Sequence, residues 1–140
     1  LALYALYMEG QRHATVSASA SSTIASRANP NPNLRPLRSL LAATLAYFPE
    51  DGYLLWLHGV VLRESKLHQE AAIELLHAVR VEPFLWCAWV DLATLVTRES
   101  QVEDIRHTPL LRFHQRPDVQ LMFRFFSATV REDLQHYSSA

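Results

Sequence analysis

Pro49, Pro83 and Pro117 stand 34 residues apart. A fixed interval of that size is the mark of stacked supersecondary units, each of which buries its apolar face only against a neighbour. It constrains the chain more than any single motif, because it sets the length of the unit and where each unit stops. Proline has no backbone N–H and its ring clashes with the preceding turn, so each of the three ends the helix before it.

With Pro83 as the end of a unit that begins at Gly52, the other key positions follow. A first helix carries Leu55, Gly59 and Leu62, with His58 as the one polar departure, and a second helix carries Ala71, Leu75 and Ala78. Small residues at 59, 71 and 78 mark where two antiparallel helices approach most closely. The pattern resembles the tetratricopeptide repeat, a 34-residue helix-turn-helix unit. One period later come Trp89, Leu92, Ala93 and Val96, and one further Phe123, Phe126, Ser127 and Val130. Three first helices thus share a register. Second helices are less regular: Leu37, Leu41 and Thr44 precede Pro49, whereas Ile105, Pro109 and Arg112 precede Pro117. Pro109 falls mid-helix, which predicts a degenerate, kinked or two-piece second helix over 100–116.

Residues 13–33 are rich in Ser, Ala, Asn and Pro without period and read as a low-complexity loop. The first helix that should precede Leu37 is then displaced to residues 1–10, where Leu1, Tyr4, Ala5 and Met8 reproduce the large and small pattern. A long insertion between helices costs little closure entropy. The expected organisation is all-α, a superhelix of about three and a half helix pairs. It comprises helix 1–10, loop 13–33, helix 34–48, a repeat at 52–83, a degenerate repeat at 86–116 and the start of another at 118–135.

Composition narrows the function. Charged residues are 19% of the chain, below the roughly 25% of ordinary soluble domains, while 49% are hydrophobic. With 13 basic and 14 acidic residues and no polybasic run, nothing marks a nucleic-acid or anionic-membrane partner. No apolar run approaches membrane-spanning length. Cys87 is the sole cysteine, which excludes a disulfide framework and a thiolate zinc site and points to an intracellular, reducing setting. A first residue of Leu1, with no basic segment leading into an apolar core, reads as a piece of a longer protein.

The scarcity of charge is localised. Predicted helix 53–62 is apolar on every side but His58, and predicted helix 84–97 carries only Asp91. A helix apolar all round must be covered all round. Second helices cover two sides of each first helix, and the remaining side faces the concave groove. By repeat position that face holds Tyr53, Trp56, Val60 and Arg63, then Cys87, Val90, Thr94 and Thr97, with Trp86 at the edge. Either a partner covers it, with Trp as anchor, or the side chains pack on one another or beneath loop 13–33.

No nucleophile elbow, phosphate loop or metalloprotease helix is present. Three carboxylate-x-x-His pairs, Glu74/His77, Asp104/His107 and Asp133/His136, have the spacing of di-iron ligands but lack the inward glutamates of such a bundle. Glu74 falls opposite the Ala71, Leu75, Ala78 stripe, so solvated helix faces account for the pairs. His58 reads as a satisfied core histidine donating to a carbonyl or hydroxyl, and Cys87 as an inert thiol. No catalytic residue, metal, cofactor or small-molecule substrate is expected. Trp56, Trp86 and Trp89 could stack bases, but no basic groove accompanies them. The inner positions Trp56, Val60, Val90 and Thr94 also lack the Lys and Asn of a carboxylate clamp for chaperone tails.

The block Leu57-His58-Gly59-Val60-Val61-Leu62-Arg63, then Gln69-Glu70-Ala71, Val79-Arg80-Val81-Glu82-Pro83 and Trp86-Cys87-Ala88-Trp89-Val90-Asp91-Leu92, resembles the amino-terminal repeats of one family. That family is the eighth subunit of the anaphase-promoting complex, the cell division cycle protein 23 family. A Tyr-rich helix closed by Gly10 and a Pro117-Asp118 step into Phe125-Phe126 resemble it more loosely. His58 stands where the family usually has an aromatic residue, which implies a diverged lineage. The resemblance implies a non-catalytic scaffold of a multisubunit ubiquitin ligase in cell-cycle control, acting in nucleus and cytoplasm. It implies a homodimer whose two solenoids interlock through their grooves, with Tyr53, Trp56, Val60, Cys87 and Val90 at the interface and other ligase subunits as partners. A groove that captures a short peptide of an unrelated protein is the alternative.

Overall fold

Seven α-helices and no strand occur among the residues described by the computed structural model, 1–20 and 31–139. They are α1 (Ala2–Ala20), α2 (Leu34–Tyr47), α3 (Gly52–Glu64), α4 (His68–Val81), α5 (Trp86–Ala93), α6 (Glu99–Arg106) and α7 (Pro117–Ser138). Two 3-10 turns, Pro109–Leu111 and Phe113–Gln115, connect α6 to α7. From α1 to α5 each helix packs on the next, and α5 and α6 both pack on α7, in a tetratricopeptide-like solenoid.

The tightest packing joins α3 to α4. Asp51 caps α3, its Oδ1 accepting from the N–H groups of Tyr53 at 3.0 Å and Leu54 at 3.1 Å. Midway along, a Cβ on Gly59 would sit 2.7 Å from Leu75 Cγ, so only glycine permits this approach. The helix closes through Lys66 at φ 66°, with Leu67 N–H donating to the Leu62 carbonyl at 2.9 Å. That is the 6→1 bond of a left-handed cap, a place usually taken by glycine.

The repeat positions fill the core. Leu55, Leu75, Ala78, Trp89, Leu92, Phe123, Phe126 and Val130 belong to one buried cluster spanning α3 to α7. Trp89, Phe123 and Phe126 meet at centroid separations of 5.3–6.5 Å, and each such pair contributes about 0.5–1.5 kcal/mol beyond burial. Trp89 Nε1–H also donates to the Pro83 carbonyl at 2.8 Å, which satisfies its polar edge inside the core. Leu62 and Ala71 are buried and Ala93 half-buried. Leu34, Leu37 and Leu41 of α2 form a second cluster with Leu57 and Val61 of α3, covered by Leu3, Leu6 and Tyr7 of α1.

Two segments depart from the sequence expectation. The first helix does not stop at residue 10 but runs to Ala20, so the stretch expected as a loop from 13 begins helical; 21–30 lie outside the described residues. Alanine favours helix, and the hydroxyls of Thr15 and Ser17 donate to the carbonyls of Arg12 and His13 instead of competing for the ladder. The helix expected over 84–97 is shorter, ending at Ala93. Thr94 Oγ1 there donates to the Asp91 carbonyl at 2.6 Å, and Gln101 Oε1 accepts from Thr97 and Arg98 N–H. Over 100–116, expected as a degenerate, kinked or two-piece helix, α6 stops at Arg106 because Thr108 takes the extended conformation required before Pro109, and the two 3-10 turns follow.

Candidate interaction groove

Asp91, the lone charge of α5, organises the inner face. Its Oδ2 accepts from Trp56 Nε1–H at 2.6 Å and its Oδ1 from Arg63 Nη1 at 2.7 Å, tying two residues about two turns apart on one stripe of α3 to the next repeat. The same Arg63 nitrogen reaches Thr94 Oγ1 at 3.1 Å. Three residues expected on the face, Trp56, Arg63 and Thr94, are thus joined by a fourth that the repeat register gave no reason to name. An acid on an otherwise apolar helix was the available signal.

The other end of Trp56 meets α1, where the Tyr4 ring lies 6.0 Å away. Tyr7 follows at 6.3 Å from Tyr4 and donates its hydroxyl to Glu64 Oε1 at 2.6 Å. Gln11 Nε2 bridges to Glu64 Oε2 at 2.6 Å and to the Tyr7 hydroxyl at 3.0 Å. Burial first, and then the Glu64 carboxylate, push the Tyr7 proton affinity well above that of an ordinary tyrosine.

Tyr53, Trp86 and Val90 remain open, with 64%, 39% and 41% of their surfaces exposed. Tyr4 and Met8 of α1 are exposed as well. A mostly apolar cleft of about 630 Å³ runs from Leu1 and Tyr4 past Tyr53, Trp56 and Leu57 to Thr44. Val60 is a correction: at 3% exposure it is covered within the chain and adds nothing to an open face. Val60 lies one turn beyond Trp56 on the same stripe of α3, so its burial comes from cover over that stripe and not from a different orientation. Cys87 is half-buried, and desolvation together with the Asp91 carboxylate raises its thiol pKa, holding it protonated.

Two polar residues also differ from expectation. His58 Nδ1 lies 3.0 Å from Glu74 Oε2, so the core histidine pairs with a carboxylate of α4 and not with a carbonyl or hydroxyl. Glu74 is correspondingly half-buried against α3 and not on a solvated face. Among the described residues no group of three His, Cys, Asp or Glu side chains gathers as a metal site, and no helix is long and apolar enough to cross a membrane.

Comparison with known proteins places the groove in context. The family model described as anaphase promoting complex subunit 8 / Cdc23 matches residues 1–140. Proteins named cell division cycle protein 23 homolog from Homo sapiens, Bos taurus and Mus musculus are each 35% identical to this chain over 105 residues. The matched part is 75% of this chain and 16% of each relative, so the chain spans a small fraction of the relatives' length.

Proposed function

This chain belongs to the anaphase promoting complex subunit 8 / Cdc23 family, and on that premise we propose that it is part of a non-catalytic scaffold subunit of the anaphase-promoting complex. In this reading the 140 residues mediate self-association and assembly with other subunits of that ubiquitin ligase. They act in cell-cycle control, in nucleus and cytoplasm, without cofactor or substrate chemistry of their own.

The observation that carries the reading is the exposure of large side chains on three first helices: Tyr4 and Met8 of α1, Tyr53 of α3, and Trp86 and Val90 of α5. Single exposed apolar residues are ordinary, but large ones on successive first helices mark a surface meant to be covered. A second copy covers it: each well-buried side chain of this size contributes on the order of 1.5–3 kcal/mol, and the rings supply rigid anchors. Tyr53, Trp56, Trp86, Cys87 and Val90 form the interface. Arg63 and Thr94, held by Asp91, form its polar rim.

Sedimentation velocity at tens of micromolar tests the reading. The wild-type chain is expected at twice its 16.0 kDa mass. Tyr53→Glu and Val90→Glu, both at exposed positions, are expected to give folded monomers. A wild-type monomer overturns self-association. The 630 Å³ cleft between α1 and α3 favours a second reading, capture of a short apolar peptide; saturable peptide binding by a monomeric wild type supports it.

A further inference from the structure

Between Glu9 and Glu50 the sequence holds four arginines, one histidine and no carboxylate, whereas residues 50–140 hold nine basic and thirteen acidic residues. A net charge of -1 thus conceals a positive first third of the chain. Arg12, Arg35 and Arg38 are the arginines of that stretch among the described residues, and no hydrogen bond or ion pair among those residues engages their guanidinium groups. Arg63, Arg80, Arg106, Arg116 and Arg131, by contrast, each meet a carboxylate at 2.7–3.2 Å.

Helix α2 presents two of the three. Its inner side, Leu34, Leu37 and Leu41, is buried in the cluster with α1 and α3. The helical period puts Arg35 and Arg38 on one flank of the outer side and Leu40 and Tyr47 on the other, with Ser39, Ala43 and Ala46 between. Leu40 and Tyr47 are 47% and 83% exposed. This solvent-facing side therefore carries an apolar flank and a basic flank and no acid to pair with the arginines.

We propose that the outer face of α2 docks an acidic amphipathic helix of a partner protein. Carboxylates one turn apart on that helix meet Arg35 and Arg38, forming the charge-assisted bonds that the chain itself leaves unmade. Its apolar residues cover Leu40 and the Tyr47 ring. A bilayer is a poorer match, because the leucine-rich side of α2 already lies in the core and what remains outside is too small to insert. A nucleic acid is a poorer match too, since its backbone calls for a longer basic track than two arginines on one helix.

Calorimetric titration of the 140-residue chain tests the face. The probes are acetyl-Glu-Ala-Leu-Glu-Ala-Leu-Ala-Glu-Ala-Leu-Glu-Ala-Leu-Ala-amide, which sets Glu and Leu on two flanks of one helix, and its counterpart with Lys for every Glu. The acidic peptide is expected to bind with a dissociation constant below about 1 mM, and about threefold more weakly when ionic strength rises from about 0.05 to 0.3 M. The Lys peptide is expected not to bind. Arg35→Gln combined with Arg38→Gln is expected to weaken acidic-peptide binding roughly fivefold. Leu40→Ala is expected to weaken it about threefold. Thermal midpoints are expected to hold, because Arg35 and Leu40 are exposed and the Arg38 guanidinium bonds nothing in the chain. No binding at about 1 mM, equal binding of the two peptides, or binding unchanged by the arginine substitutions overturns the proposal. Loss of self-association in the doubly substituted chain would give the face to a second copy, and binding to phosphatidylserine vesicles would give it to a membrane; either overturns the partner proposed.

Discussion

Trp56 and Asp91, 35 residues apart, share a 2.6 Å hydrogen bond from indole to carboxylate that links the first helices of two consecutive repeats. Arg63 occupies the other carboxylate oxygen. One acid therefore fixes the angle of the tryptophan on which the Tyr4 ring rests, and through it connects α5 to α1.

Removing the acid leaves two part-buried donors without their acceptor. Asp91→Ala is expected to cost about 1–3 kcal/mol, measured by urea unfolding, whereas Asp91→Asn, which keeps an oxygen for the indole, costs less. A double-mutant cycle with Trp56→Phe is expected to show coupling, and strict additivity would rule out the linkage.

Gly59→Ala is expected to destabilise despite alanine's better helix propensity. The new methyl meets Leu75 Cγ and Cδ2 at 2.7 and 2.8 Å, and Leu75 is fully buried. Overpacking costs about 1–3 kcal/mol, and the helix preference returns at most about 1. A rise in the thermal midpoint would contradict the packing described.

Lys66→Gly is expected to have the opposite sign. Lys66 holds φ 66° at the α3 cap, where glycine has no Cβ to strain. A gain of about 0.5–1 kcal/mol in urea unfolding is expected, with no change in self-association.

Alkaline pH acts on stability through Tyr7. Its folded-state pKa lies well above the ordinary value of 10.0, so below pH 10 both folded and unfolded chains keep the proton. Above pH 10 the unfolded chain ionises first and binds fewer protons, so stability falls as pH rises. Tyr7→Phe is expected to remove that part of the decline while costing about 1 kcal/mol at neutral pH for the lost bond to Glu64. A decline identical in both proteins would exclude the assignment.

The core was legible in the sequence because a period of 34 ties residues on the same face of successive helices: Leu55, Trp89 and Phe123 all fall in one buried cluster. Gly59 was legible for the same reason, since a small residue at a closest approach has only one geometric use. The polar pairings were not. His58 with Glu74, and Trp56 and Arg63 with Asp91, run laterally between helices 16–35 residues apart, and no periodicity encodes which acid turns towards which donor. Nor could the register foresee that Val60, one helical turn from Trp56 on the same stripe, would be covered within the chain. The extra length of α1 escaped for a different reason. Its Ser and Thr hydroxyls are served by the helix's own carbonyls, so a composition that usually signals a loop is compatible with helix.

Helix α3 sends Leu55 into one buried cluster and Leu57 and Val61 into the other, while Trp56 packs against both. In the language of a one-dimensional lattice, it is the site whose state enters two neighbouring coupling terms at once. Disordering an end helix cancels one term; disordering α3 cancels both. Hydrogen exchange should accordingly be slowest in the middle of α3 and quicken outward in both directions, and the two halves of the array should melt together and not in sequence.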